Sequence, residues 1–193
     1  MKRSTGMIVK IGLLSAIAFV LMYLEFSVPF FPSWLKFDVS DVPALLGTFA
    51  IGPLAGAIIE LLKNILHIVL KGTTTGAVGE LANFFLGAAF VVPAGWVYMR
   101  NKTKKGAVIG LIIGIIGLMV LGSIANYYIF IPAFAKIMPL EQIFKVASMA
   151  NKYIVDTKTY ILYAVIPFNL VKGVIEALIT FLLYKRLSNL LHK

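Results

Sequence analysis

From residue 106 to residue 134 the chain carries no charged side chain. A helix needs about 20 mainly apolar residues to cross the hydrocarbon core of a bilayer, so this run decides which solvent the protein folds in. Further apolar runs lie at 7–26, 44–70, 78–99 and 159–184, and 60% of the 193 residues are hydrophobic against 13% charged. A soluble domain of this size has too little interior to hide that much apolar surface. The expected fold class is therefore an all-α polytopic membrane protein. Both tails are short and no polar block is large enough to fold alone, so 1–193 reads as a single integral membrane domain. The start Met1-Lys2-Arg3 before an apolar run mimics a signal peptide, but no small-residue cleavage site follows and the run is long; it reads as a retained first span.

The run at 44–70 is interrupted by Ile51-Gly52-Pro53, where proline and the residue before it resist a continuous helix. Either a short span at 43–51 precedes another at 53–70, or one long helix is kinked. Charge separates the two. With six spans, one side holds Lys2, Arg3, Lys10, Arg100, Lys102, Lys104, Lys105, Lys185, Arg186 and Lys193, and the other holds Lys36, Lys71, Lys136, Lys145, Lys152 and Lys158. Basic residues favour the cytoplasmic side, so six spans with both termini inside are expected. With five, the basic N-terminus would lie outside. The net charge of +10 follows this topological pattern and gives no argument for nucleic acid. The segments at 27–42, 71–77 and 135–158 then share the outer face.

The first of these, Leu35-Lys36-Phe37-Asp38-Val39-Ser40-Asp41-Val42-Pro43, carries charge, an aromatic and a helix-start signal. Asp41 is the expected N-cap and Pro43 fits the first turn of the next helix. Such a loop is a plain link or a lid over a site. Polar residues within the spans favour a lid, because each needs a partner or a role. Glu60 lies three and four residues before Lys63 and Asn64, so these share a helix face and can pair. Glu80 and Asn83 open the fourth span one turn apart, where Glu80 also suits the helix N-terminus. Asn126 sits in the outer half of the fifth span beside Tyr127 and Tyr128, residues typical of the interfacial belt. Asn169 and Lys172 lie one turn apart in the sixth, and two readings stand for Lys172: a pair with Glu176, or a donor to a ligand. Two adjacent donors suit a planar ligand with carbonyl and ring-nitrogen acceptors.

Other chemistry finds no residues. The chain has no cysteine, which excludes disulfides and thiolate ligands. His67 and His192 lie far apart in the chain, and no metal site is expected. No phosphate loop is present, so ATP hydrolysis by the chain itself is not expected. No serine nucleophile with a histidine base can be assembled. In the first span, Gly12, Ser15 and Ala16 offer small residues for close helix approach, with Gly12 and Ala16 four apart.

Lys36-Phe37-Asp38-Val39-Ser40-Asp41-Val42-Pro43, Glu60-Leu61-Leu62-Lys63-Asn64, Gly79-Glu80-Leu81-Ala82-Asn83-Phe84, Asn126-Tyr127-Tyr128 and Pro167-Phe168-Asn169 with Lys172-Gly173 resemble, in this order, the RibU family. These are the riboflavin-binding S components of bacterial energy-coupling factor (ECF) vitamin transporters. The resemblance implies a six-helix membrane fold with a pocket near the outer face, capped by the loop between helices 1 and 2. It implies that riboflavin is the transported ligand, with no cofactor, and that the partners are a transmembrane T component and two ATPases. The expected substrate-binding set is Phe37, Asp38, Val39, Asp41, Lys63, Glu80, Asn83, Asn126, Asn169 and Lys172. The expected contact with the T component is Gly12, Ser15 and Ala16, with Gly12 in place of the family's usual alanine. Two alternatives remain: an S component for another vitamin or nucleobase, and an autonomous secondary transporter.

Overall fold

In the computed structural model, residues 2–191 are described, with side chains from 5 to 184. His192 and the basic residues Lys2, Arg3, Lys185, Arg186 and Lys193 of the topology argument lie outside the described side chains. The helices are α1 (Lys2–Tyr23), α2 (Asp41–Ala50), α3 (Pro53–Lys71), α4 (Val78–Arg100), α5 (Lys104–Ala125), α6 (Ile131–Phe134), α7 (Leu140–Ala150), α8 (Thr157–Tyr160) and α9 (Ile166–Leu191). Five stretches are long and apolar enough to cross a membrane: Thr5–Tyr23, Pro53–Lys71, Val78–Arg100, Lys104–Phe134 and Thr157–Tyr184. Asp41–Ala50 is a shorter apolar helix, buried along nearly its whole length. The fold is the expected all-α membrane architecture.

The break at Ile51-Gly52-Pro53 separates two helices. Gly52 takes φ +139°, a conformation that side chains disfavour, and Pro53 opens α3, where its missing N–H costs nothing. The helix start at Asp41 differs from the expectation. Ser40 is the N-cap, its side chain caps nothing, and Asp41 is the first helical residue. Its carboxylate is engaged by lysines from other helices, which outcompete a local cap.

Two spans are interrupted by a π turn, Asn126–Phe130 between α5 and α6 and Ile161–Val165 between α8 and α9. A proline follows each. A proline ring clashes with the carbonyl four residues back and offers no donor; for Pro132 and Pro167 those positions are Tyr128 and Tyr163, both inside the wide turns.

Helices α4 and α5 approach through glycine. A Cβ at Gly114 would lie 2.7 Å from the Phe90 carbonyl oxygen, and one at Gly110 2.6 Å from that of Ala94. The main core, with Leu45, Phe49, Ile59, Phe90 and Leu118, fills the space among α2, α3, α4, α5 and α9. Along α1, Gly12 and Ala16 are exposed, whereas Ser15 is buried and donates to the Ile11 carbonyl at 2.8 Å. Ser15 lies on the inward edge of the Gly12–Ala16 face, packed into the bundle, which leaves Gly12 and Ala16 as its exposed small residues.

One end of the bundle gathers the three segments expected to share a face. The strands β1 (Phe26–Ser27) and β2 (Lys36–Phe37) pair antiparallel, and the Phe26 and Phe37 rings meet at 5.5 Å. Glu25 receives both Lys36 and Lys71 at 2.8 Å, joining the hairpin to the end of α3. Burial opposes the charge on Glu25, but the two ammonium groups outweigh it and hold its carboxyl below the usual range. A second core, including Ile131, Ala147, Ile154 and Tyr160, packs beneath Trp34 and Leu35 of the hairpin.

Gly114→Val should force α4 and α5 apart, since the added methyls meet backbone as well as the Phe90 ring. Overpacking of this kind costs about 1–3 kcal/mol. The expected result is a lower thermal midpoint in detergent, with Gly12→Val, where nothing lies within 4 Å, leaving it unchanged.

Candidate ligand-binding site

Beneath the hairpin lies a cavity of about 340 Å³, within the range of small-molecule sites. Leu86, Leu118, Ile131, Phe134, Ile143 and Phe168 make its walls largely apolar, and Trp34 and Tyr160 add two aromatics. The Trp34 indole donates to the Tyr160 hydroxyl at 2.9 Å, so the hairpin is fastened to the wall it covers. Phe31 meets Phe168 edge-on at 5.3 Å and fastens it a second time.

The polar groups come from several elements. Asp41, Asn83, Asn126, Asn169 and Lys172 of the expected set line the cavity, as do Thr74 and Thr75. Asn169 is 3% exposed and its Nδ2 has no hydrogen-bond partner. A buried amide donor without a partner costs free energy unless something fills it. Gly122 on α5 lets that amide sit close, since a Cβ there would be 3.0 Å from Asn169 Nδ2. Asn126 Nδ2 donates back to the Gly122 carbonyl at 2.9 Å. Asn83 accepts from Asn64 at 3.2 Å, and Asn64 also donates to the Glu60 carbonyl at 2.9 Å.

Phe37, Asp38, Val39, Lys63 and Glu80 do not line the cavity. Phe37 packs in the hairpin. Glu80 accepts from Thr73 at 3.0 Å and Thr75 at 3.4 Å and lies 3.3 Å from His67 Nδ1, so it braces the 71–77 turn. Asp38 and Lys63 belong to a buried ion network below the lid. Lys63 reaches Asp41, the Ser40 hydroxyl at 2.8 Å and Glu60 at 2.7 Å, which realises the expected Glu60–Lys63 pair. Lys172 lies 3.2 Å from Asp38, 3.6 Å from Asp41 and 4.0 Å from Glu176. Of the two readings of Lys172, a simple pair with Glu176 gives way to a shared contact in which the lid carboxylates are nearer. The Asp38, Asp41 and Glu176 carboxylates lie close enough to hold a metal ion, but they surround an ammonium group.

Sequence reasoning missed Trp34, Tyr160 and the two threonines, and it read Asp38 and Asp41 as ligand contacts without seeing their lysines. A count of buried charge could have found the latter: Lys63 and Lys172 sit inside spans, and the acids of 38–41 are the loop acids next to them in the fold.

Lys63→Met should be severe. It leaves Asp41 and Glu60 buried without the cation between them, a loss of about 3–5 kcal/mol for a broken buried pair. Thermal unfolding of the purified chain is the measure, and a wild-type midpoint would refute the structural role of Lys63.

A lidded, mostly apolar cavity with an unpartnered donor, set in a helical membrane fold, defines a membrane protein that encloses one small molecule. The chain matches the family described as ECF transporter, substrate-specific component, over residues 6–184. It is 39% identical over 186 residues to the riboflavin transporter RibU of Staphylococcus aureus (strain TCH60), covering 96% of this chain and 92% of that protein. It is 34% identical over 182 residues to the riboflavin transporter FmnP of Bacillus subtilis (strain 168), covering 94% and 91%. Among solved structures, the S component of a bacterial ECF transporter superposes with a TM-score of 0.76 at 35% identity, covering 98% of this chain and 99% of that one. This chain belongs to the family of substrate-specific components of ECF transporters.

Proposed function

We propose that this chain captures riboflavin at the outer face of a bacterial cell membrane and delivers it as the S component of an ECF transporter. It performs no chemistry itself. The observation that carries the reading is the buried, unpartnered Asn169 amide facing a cavity whose other polar groups include Lys172 and Asn126. A flavin ring presents carbonyl oxygens and ring nitrogens along one edge, and these acceptors match those donors. The rest of the wall is apolar and aromatic, as the ring faces require. Relatives named as riboflavin transporters over nearly the whole chain support the choice of ligand.

Six crossings, with α2 as the short second one, and cytoplasmic termini complete the reading. The basic turn at 100–105 then lies inside, and the lid, the 71–77 turn and the 135–158 segment lie outside. A T component with two ATPases reorients the loaded protein and releases the vitamin. The exposed Gly12–Ala16 face of α1 is the proposed contact, because small residues let a partner helix approach closely.

Asn169→Ala tests the ligand. The amide donates to nothing in the unliganded protein, so its thermal midpoint should hold while riboflavin affinity falls roughly tenfold to a hundredfold, the worth of a lost hydrogen bond of about 1–3 kcal/mol. Quenching of riboflavin fluorescence on titration reads the affinity. Unchanged affinity would move the pocket elsewhere.

Ala16→Trp tests the partner face. Co-purification with the T component should weaken while riboflavin binding by the lone subunit persists. Lost binding with normal assembly would mean that this face is misassigned.

A further inference from the structure

The positive-inside pattern leaves one group of basic residues without a topological reason. Lys136, Lys145, Lys152 and Lys158 all fall in the 135–158 segment at the lid end, against Glu141 and Asp156. All four are exposed, and among the described residues none forms an ion pair. Asp156 Oδ1 accepts from the Thr159 amide and hydroxyl, each at 2.7 Å, capping α8. Exposed apolar side chains alternate with the lysines along the segment: Leu140, Val146, Tyr153 and Val155 are exposed and none lines the cavity, and Met149 is 83% exposed on the side of α7 away from its buried Ile143 and Ala147. Lysines interleaved with apolar and aromatic side chains beside the ends of membrane helices match the headgroup layer: phosphate for the ammonium groups, acyl boundary for the rest.

We propose that the 136–158 segment is a docking surface for anionic phospholipid, with Lys136, Lys145, Lys152 and Lys158 on the headgroup phosphates and Met149 and Tyr153 set into the interface. The leaflet rests on the orientation proposed above; the lipid contact does not. The surface is joined to the cavity, because Met138 and Ile143 of the same segment line it. Lipid that holds α7 against the bundle therefore also holds one wall of the binding site.

The chain lacks cysteine, so Met149→Cys gives a single labelling site. The full chain carrying bimane there is placed in phosphatidylcholine vesicles containing equal fractions of spin-labelled phosphatidylglycerol or spin-labelled phosphatidylcholine. Each lysine near an anionic surface is worth roughly fivefold in association. Phosphatidylglycerol should quench several-fold more strongly, and the preference should fade at high salt as the charges are screened. Lys145→Gln with Lys152→Gln should remove most of the preference, at an unchanged thermal midpoint. Equal quenching by the two lipids in the unsubstituted lysine background overturns the proposal, as does a preference indifferent to salt. A label that responds to dissolved flavin mononucleotide or to a soluble polyanion, with no lipid preference, would assign the lysines to those partners and also overturn it. None of these readouts depends on riboflavin binding.

Discussion

Asp41 divides its carboxylate between Lys63 on α3 and Lys172 on α9, and the lid end of the molecule is built on that division. An ion stripped of water inside a membrane protein is tolerated only with a partner. Asp38, Asp41, Glu60 and Glu176 together surround the two ammonium groups, each of these carboxyl residues 4% exposed or less. Such a network is weak evidence for stability relative to a well-packed apolar core, but breaking it strands charge. It therefore ties the start of α2 to α3 and α9 in one arrangement. The local details follow from it: Asp38 accepts from the Ser40 amide at 2.7 Å, which fixes the turn, and the Ser40 hydroxyl faces Lys63 because the lysine needs a further acceptor. Gly87 has no side chain because one would fall on the Glu60 carboxylate.

The network also explains how cover and cavity are joined. Asp41 and Lys172 belong to both, since each lines the cavity while holding the loop. An acceptor on a ligand that approaches Lys172 competes with Asp38, a lid residue. Asn169 stands in the opposite condition, with a donor engaged by nothing. Asn169 thus offers the cavity an idle donor, and Lys172 one shared with the cavity's own cover.

The long apolar helices were legible because apolar runs are local signals, and Ile51-Gly52-Pro53 marked a break that the backbone confirms. Asn169 and Lys172 were legible for a related reason, as polar residues on one helix face where hydrocarbon should lie. The ion network was only half legible. The Glu60–Lys63 pair is one helical turn, whereas Lys172 to Asp38 spans 134 residues and Trp34 to Tyr160 spans 126. No local pattern encodes such distances. Glu80, which the sequence placed both at a helix N-terminus and in the expected binding set, turns to Thr73 and Thr75 of the preceding turn and to His67 of α3.

The two π turns show how a proline can decide what a cavity wall contains. At about 100° per residue, Tyr160 and Asn169 would point about 180° apart on a straight helix, and Lys172 about 120° from Tyr160. A π turn absorbs one additional residue, which removes roughly 100° from each of those angles. Tyr160 then falls on the same side as Asn169 and Lys172, and all three line the cavity. The same holds in the neighbouring span, where Asn126, Ile131 and Phe134 lie on one wall across the turn at Asn126–Phe130. Pro132 and Pro167 carry no functional group, but each follows a π turn that changes which residues share a wall. The sequence signal for the wall was thus a pair of prolines four residues beyond tyrosines, Tyr128 and Tyr163. Proline alone does not make that signal readable, because Pro93 sits inside α4 without a π turn before it.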